Sequence, residues 1–356
     1  MRYLLAGGGT AGHVNPLLAL AEAIRQDQPD ANIYALGTAE GLEARLVPER
    51  GFELLTIEKV PFPRRPNAYA LRFFAKFAKA VRVCRREIRD RKIDVVVGFG
   101  GYASAPAYLA AALEKVPLVI HEANALPGLA NRFGARFAKG VAVAFKNTDL
   151  PNSVHTGMPL REEIIRVSAK ANVAEARKHF GLAADAPTLL VTGGSLGALK
   201  INQILDSSIA VLEAAGIQVL HIVGGNSDLA PVKRKGYVRI SYCDRMDLAI
   251  LAADFAVSRA GASTVSEFSA LGLPALYIPY AVGNGEQAKN IAEVLAAGGA
   301  LTVADSVFSR DYIANQLVPL ISNSKRLAAM AAAAKKCGNL DGTNRLLAMV
   351  KGVLPA

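Results

Sequence analysis

The sequence predicts an α/β chain of two Rossmann-like domains, each built on a doubly wound parallel sheet. Three observations predict it. Apolar strand-like runs alternate with amphipathic helical runs along most of the chain, as parallel sheets covered on both faces require. A glycine-rich strand-to-helix turn occurs twice, in "LLAGGGTAGHVNP" (4–16) and "TLLVTGGSLGALKINQIL" (188–205), and each opens its own series of alternations. A length of 356 residues also exceeds one ordinary core.

The elements follow in order. "YLLAG" (3–7), "NIYAL" (32–36), "IDVVVGF" (93–99), "PLVIHE" (117–122) and "GVAVAF" (140–145) are apolar enough for buried parallel strands. "NPLLALAEAIRQ" (15–26) and "SAPAYLAAALEK" (104–115) lie between them with helical spacing, Pro16 being placed to start the first. Gly157 and Pro159 in "HTGMPLREE" (155–163) break structure and mark the join. The second series runs through "TLLVT", "IQVLHIVGG" (217–225), "FAVSRAG" (255–261) and "PALYIPY" (274–280). Helices dominate after about residue 308, and "GTNRLLAMVKGVL" (342–354) is a last amphipathic helix. The expected division is 1–159, 160–337, and a terminal helix in 338–356 that returns to the first domain.

Composition narrows the class. No apolar run reaches the roughly 18 residues of a membrane span, and the start reads as a first strand rather than a signal peptide, so a cytoplasmic protein is expected. Cys84, Cys243 and Cys337 are far apart and form no CxxC, which argues against a disulfide framework or zinc site. The net charge of +11 points to an anionic partner: nucleic acid, acidic lipid or a phosphorylated substrate.

The motifs carry the chemistry. Glycines let backbone N–H groups approach an anion, and a following helix N-terminus adds positive dipole. Gly7, Gly9 and Gly12 nearly meet GxGxxG, so a dehydrogenase has to be weighed. The acid it needs after the second strand is not in position, Glu40 being nearest. His13 lies at the helix start, where a neutral imidazole is favoured and can accept a proton from a hydroxyl; the plainer alternative is a cap on the turn. In "GGSLGA" (193–198), Ser195 can donate to phosphate, or the turn serves packing alone. In "SRAGASTVSEFSALGLPALYIPY" (258–280), small polar residues at a helix start suit a phosphate, and Glu267 one turn later can take a ribose diol. The alternative there is a capping box with Ser263 as cap. "GNGEQAKNIAEVL" (283–295) sets Glu286, Gln287 and Asn290 at a helix start, where amides suit sugar hydroxyls.

Together, "GGGTAGHVNPLLALA", "GFGGYASAP", "HEANALPGLANR", "GGSLGALKIN" and "SRAGASTVSEFSALGLPALYIPY" resemble the peptidoglycan branch of glycosyltransferase family 28, nearly end to end and in the same order. The resemblance implies a GT-B fold, two Rossmann-like domains facing a cleft. It implies inverting transfer of N-acetylglucosamine from UDP-GlcNAc to the MurNAc 4-hydroxyl of undecaprenyl-pyrophosphoryl-MurNAc-pentapeptide (lipid I), forming lipid II. The first domain would take the acceptor and the second the donor. Carried over by motif, Thr10, Ala11, Gly12 and His13 would face the diphosphate and acceptor, with His13 as base or pyrophosphate contact. Asn124 and Tyr102 would lie by the sugar or acceptor, Arg161 beside the uracil and Ser195 near the phosphates. Cys243 and Met246 match the stretch that reads the uracil edge. Ala262, Ser263 and Thr264 would hold the α-phosphate, with Val265 and Ser266 following in the same turn. Glu267 would hold the ribose, Gln287 and Asn290 the transferred sugar. The chain departs from the family pattern at Ala11, Leu196, Met158, Cys243 and Glu286.

The most basic region is "FPRRPNAYALRFFAKFAKAVRVCRREIRDRK" (62–92), with Arg64, Arg65, Arg72, Lys76, Lys79, Arg82, Arg85, Arg86 and Arg89. Tyr69, Phe73, Phe77 and Val81 recur at helical spacing, which leaves Phe74 and Leu71 for a bilayer ringed by arginines; an ordinary charged surface helix is the alternative. No RNA-reading motif accompanies the charge, so nucleic acid is not expected. A peripheral protein on the cytoplasmic face of the membrane is expected instead, with other cell-wall synthesis proteins as further partners. No DxD arrangement is present, and no obligatory metal or other cofactor is expected; loop amides and helix dipoles can stabilise leaving UDP. The alternatives are another GT-B lipid glycosyltransferase, against which "HEANALPGLANR" argues, a UDP-GlcNAc 2-epimerase, whose extra acid/base groups are not found, and a non-catalytic sugar-nucleotide-binding scaffold.

Overall fold

A computed structural model describes residues 1–63, 68–169, 172–194, 197–280 and 284–354, with the side chains of 68–71 outside that description. The chain divides into two compact units, Met1–Arg161 with Leu340–Ala356, and Glu162–Asn339.

The first unit is a seven-stranded sheet. Its strands are β1 (Arg2–Ala6), β2 (Asn32–Gly37), β3 (Glu53–Thr56), β4 (Val95–Gly98), β5 (Leu118–Glu122), β6 (Gly140–Val143) and β7 (Ser153–His155). They run in the order β3-β2-β1-β4-β5-β6-β7, every neighbour parallel. One face packs Leu17, Leu20 and Ile24 of the helix Ala11–Asp27 with Leu346 and Val350 of the terminal helix Gly342–Gly352. The other packs Phe73, Val81, Cys84 and Ile88 of the helix Ala68–Asp90 with Tyr108 and Ala111 of the helix Ser104–Leu113. Both faces are dry, which is why β1, β4 and β5 are apolar without alternation.

Pro16 does not start the first helix. The helix begins at Ala11, with Thr10 as cap in extended conformation. Pro16 therefore falls inside it, and the hydrogen bond it cannot make is the one to the Gly12 carbonyl.

The second unit is also a seven-stranded sheet. Its strands are β8 (Thr188–Thr192), β9 (Gln218–Ile222), β10 (Val232–Arg234), β11 (Tyr237–Ile240), β12 (Phe255–Ser258), β13 (Ala275–Tyr277) and β14 (Ala300–Thr302). The order is β10-β11-β9-β8-β12-β13-β14, parallel except for the β10–β11 hairpin. Its core joins Leu189, Val191, Phe255 and Leu276 of the sheet to Ile201, Leu205 and Leu212 of the helix Leu199–Ala214. Phe308, Ile313, Leu317 and Leu320 close it from the helical stretch beyond residue 308.

Candidate functional site

In an open α/β sheet, ligands bind beyond the carboxyl ends of the strands, where the strand order reverses. In the first unit that place lies between β1 and β4. The loops after these two strands are "GGGT" and "GGY". They touch directly: a Cβ on Gly101 would overlap the Gly8 carbonyl oxygen. Gly9, Gly100 and Gly101 have φ of 89°, 89° and 88°, backbone that a side chain resists.

His13 stands on the first turn of the helix, half-buried. Its Nδ1 is 3.0 Å from the Gly8 carbonyl oxygen and 3.3 Å from Thr10 Oγ1. A carbonyl only accepts, so Nδ1 is the donor in this contact, and a ring carrying one proton would present its lone pair at Nε2. A Cβ on Gly100 would stand 3.2 Å from Nε2. The first-turn N–H groups of Ala11 and Gly12 have no intrahelical acceptor, so one short loop offers a base and two donors.

Two buried carboxylates hold loops of this unit, Glu43 the first glycine loop and Glu122 the loop after β5, and the sequence reading missed both. Glu43 is fully buried; its Oε1 accepts the Thr38 N–H and hydroxyl, both at 2.8 Å, and its Oε2 accepts Gly9 N–H at 2.7 Å. Glu122, at the end of β5, accepts Asn124 N–H at 2.9 Å, Gly128 N–H at 3.0 Å and Asn131 Nδ2 at 2.8 Å. It thereby shapes the loop that carries Asn124. Asn131 in turn accepts from the Tyr108 hydroxyl at 2.7 Å, whose pKa burial pushes up, so it stays a donor. His121 is fully buried; its Nε2 donates to the Gly157 carbonyl at 3.1 Å and its Nδ1 has no partner among the described residues. Burial lowers its pKa to about 4, so it is neutral. Tyr102 is exposed beside the glycine loops, with Lys59 Nζ 5.1 Å from its ring centre. Arg161 is half-buried at the end of the unit.

In the second unit the order reverses between β8 and β12. Ser195 and Leu196 lie outside the described residues. Around them, Gly194 and Gly197 have φ of 87° and 84°, and a Cβ on Gly197 would overlap the Val223 carbonyl. Asn202 ties the loop's helix to β9: its Nδ2 donates to that carbonyl at 2.9 Å, and its Oδ1 lies 3.1 Å from His221 Nε2.

The helix Ala262–Leu271 follows β12. Its cap is Gly261, not Ser263, and no side chain caps it. The capping-box alternative is therefore overturned: Ser263 sits inside the first turn, where its hydroxyl cannot reach the orphan N–H groups from the cap position. The N–H groups of Ala262, Ser263 and Thr264 remain without intrahelical acceptors. Ser263 Oγ is buried and has no partner among the described residues. Glu267 is buried one turn on, behind Val265 and Ser266.

Gln287 and Asn290 brace the same turn from the helix Glu286–Asn290. Gln287 Oε1 accepts Ala260 N–H at 3.2 Å and Tyr280 N–H at 2.9 Å, and Asn290 Nδ2 donates to the Ala260 carbonyl at 3.2 Å. Asn290 is buried, and its described bond is to the loop rather than to open space. Cys243 is buried in the turn after β11, and Met246 opens the next helix.

Residues Met1–Arg161 and Glu162–Asn339 thus each set glycine turns and uncapped helix starts at the ends of parallel strands. Residues 3–143 match the glycosyltransferase family 28 N-terminal domain, and residues 188–346 match the glycosyltransferase family 28 C-terminal domain. The chain belongs to glycosyltransferase family 28. A relative from Leifsonia xyli subsp. xyli, named UDP-N-acetylglucosamine--N-acetylmuramyl-(pentapeptide) pyrophosphoryl-undecaprenol N-acetylglucosamine transferase, is 55% identical over 99% of both chains. A relative of the same name from Clavibacter sepedonicus is 54% identical over 98% of this chain and 95% of its own. Among solved structures, MurG of Acinetobacter baumannii superposes with a TM-score of 0.77 at 26% identity, over 99% of each chain. The architecture is the GT-B fold of this family.

The basic helix Ala68–Asp90 is amphipathic. Phe73, Ala80, Val81, Cys84 and Ile88 are buried, while Arg72, Lys79, Arg82, Arg86 and Arg89 are exposed at spacings of one helical face. Phe74 is 75% exposed and Phe62 61%; each meets the buried Phe73 edge-on, at 5.4 Å for Phe62 and 5.5 Å for Phe74. Arg64 and Arg65, and the side chains of Tyr69 and Leu71, lie outside the described residues. Among the described residues no helix is long and apolar enough to cross a membrane.

Proposed function

We propose that this chain transfers N-acetylglucosamine from UDP-GlcNAc to the MurNAc 4-hydroxyl of lipid I, with inversion, giving lipid II for peptidoglycan synthesis. The observation that carries the reading is 55% identity over 354 residues to a relative named for this transfer. The geometry of each unit supports a division of labour. In the second unit the uncapped amides of Ala262, Ser263 and Thr264 receive the donor phosphate, Glu267 takes the ribose hydroxyls, and the Gln287 amide nitrogen donates to the sugar. The turn at Cys243 and Met246 takes the uracil, with Arg161 beside it, and Ser195 completes the phosphate loop. In the first unit His13 Nε2 takes the proton of the attacking hydroxyl. The amides of Ala11 and Gly12, with Thr10, hold the acceptor pyrophosphate, and Tyr102 and Asn124 line its approach.

The donor sugar is α-linked to UDP, so attack from the opposite face leaves a β link. Charge grows on UDP as it departs. Oriented N–H groups meet that charge without reorganising, and the reaction is proposed to need no divalent cation. The basic face of the helix Ala68–Asp90, with Phe62 and Phe74, supports docking on an acidic membrane surface where a lipid-linked acceptor resides, with the protein peripheral on the cytoplasmic side.

The test is transfer of radiolabelled GlcNAc from UDP-GlcNAc to a short-chain lipid I analogue, with and without EDTA. Labelled disaccharide, unchanged by EDTA, is expected. No product together with saturable UDP-GlcNAc binding would refute the acceptor assignment. Loss of product on chelation alone would refute the metal-free step.

A further inference from the structure

One peptide group lies between a buried carboxylate and the histidine of the first unit. The amide nitrogen of Gly9 and the carbonyl of Gly8 belong to the same peptide unit. Its N–H donates to Glu43 Oε2 at 2.7 Å, and its carbonyl oxygen is 3.0 Å from His13 Nδ1. A trans peptide is planar, with N–H and C=O pointing in opposite directions, so fixing one end fixes the other. Hydrogen bonds in such a chain polarise one another: a carboxylate on the N–H makes the carbonyl a better acceptor.

The carboxylate is itself built in. Glu43 is fully buried, and Thr38 supplies two donors to its other oxygen. Three glycines make its room. A Cβ on Gly8, Gly37 or Gly41 would overlap the Glu43 side chain. None of these features is needed for a surface turn to close, because Gly9 N–H could otherwise be solvated.

We propose that Glu43 is a positioning residue for His13, acting through the Gly8–Gly9 peptide to hold the ring in its Nδ1–H form with the Nε2 lone pair presented to the acceptor hydroxyl. This is the base–orienter logic of a catalytic triad, with a peptide group inserted between carboxylate and imidazole. Free imidazole in a histidine side chain does not need this tautomer; the relay selects it. The inference rests on the proposed role of His13 for its catalytic consequence, not for its structural content.

The experiment reads the tautomer directly. The full chain is labelled with 15N-histidine, and the His13 ring signals are identified by their loss in His13→Asn. The Nδ1–H form is expected in the unsubstituted chain. Glu43→Gln puts an amide nitrogen against one of the three donors, and Glu43→Asp withdraws the carboxylate by one methylene. In either variant the Nε2–H form is expected to rise. The transfer kcat is expected to fall by roughly 10–100-fold, with the KM for UDP-GlcNAc within about twofold, as a misoriented base implies. An Nε2–H ring in the unsubstituted chain would overturn the proposal before any variant is made. A folded variant that keeps the Nδ1–H form and full kcat would overturn it too. Absence of transfer by the unsubstituted chain would instead remove the functional reading, and the tautomer measurement would still decide the role of Glu43.

Discussion

Gly101→Ala tests whether the two glycine loops of the first unit must touch. Gly101 has a φ of 88°, and a Cβ there would stand 3.2 Å from both the carbonyl carbon and the nitrogen of Gly8, overlapping the carbonyl oxygen itself. Two costs follow. Holding a side chain at that φ costs about 1–3 kcal/mol. An uncrowded carbon–oxygen contact needs roughly 3.3 Å, so the Gly8 carbonyl must retreat by about 1 Å. That carbonyl is the acceptor for His13 Nδ1, and a displacement of about 1 Å at a reacting group can cost ~100-fold. The expected result is a folded variant, destabilised by about 1–3 kcal/mol in urea unfolding, with transfer kcat reduced ~10–100-fold. Gly216→Ala is the control: its φ is 70° and its Cβ would meet nothing within 4 Å, so it pays about 1–2 kcal/mol of backbone strain and keeps its turnover. A Gly101→Ala enzyme as unstable as Gly216→Ala and equally active would refute the argument that loop contact positions the histidine.

Glu122→Ala strands the donors of Asn124, Gly128 and Asn131 and should lower unfolding free energy by about 3–5 kcal/mol, read by urea titration. Glu267→Ala should raise the KM for UDP-GlcNAc ~10–100-fold, the worth of a charge-assisted pair of hydrogen bonds, read in the transfer assay at saturating acceptor. The paired reversal Arg82→Glu with Arg86→Glu should weaken sedimentation with phosphatidylglycerol vesicles at least ~10-fold, and Phe74→Ser should weaken it further at every salt concentration. His121 and His221 are buried, and desolvation lowers their pKa values to about 4 and about 3. The unfolded chain therefore binds more protons than the folded chain below the ordinary histidine pKa of 6.5. Stability is fully present above that pH and falls as pH drops towards 4, by up to ~1.4 kcal/mol per pH unit for each histidine. Denaturation midpoints at pH 7, 6, 5 and 4 check this, and a flat profile would contradict it.

Every central strand was legible in the sequence, together with β2, β6, β9 and β13. β1, β4, β5, β8 and β12 are covered on both faces, and their composition says so. The strands not marked, β3, β7, β10, β11 and β14, lie at or next to the sheet edges. Their residues, such as "ELLT", "SVH" and "VKR", are part exposed, so no apolar run distinguishes them from loop. The glycine turns and His13 were legible because their residue types are unusual at a strand end. The carboxylates Glu43 and Glu122, which hold the first glycine turn and the loop after β5, were not. After β2 the acid nearest a ribose position is Glu40, which is out of place for one, whereas the acid that shapes the loop is Glu43, turned inward. A signal existed: glycines at 8, 37 and 41 clear space for one buried side chain, and a His–Glu pair ends the otherwise apolar β5. The capping-box alternative at Ser263 fails for a physical reason: Gly261, in extended conformation, is the cap and leaves the helix start open for an anion.

The terminal helix Gly342–Gly352 has a consequence for how the molecule is made. Leu346 and Val350 are wholly buried in the core beside Leu17 and Leu20, Thr343 Oγ1 bonds the Leu160 carbonyl at 3.2 Å, and Lys351 pairs with Asp27. The segment Glu162–Asn339 is thus an insertion within the other unit. During synthesis, the first sheet emerges from the ribosome early but waits with one face unsealed until residues 342–352 appear. The inserted unit can complete its own core before then. A ribosome that stalls or terminates shortly after residue 339 would release one finished unit and one with an open apolar face, the form that chaperones retain and proteases clear.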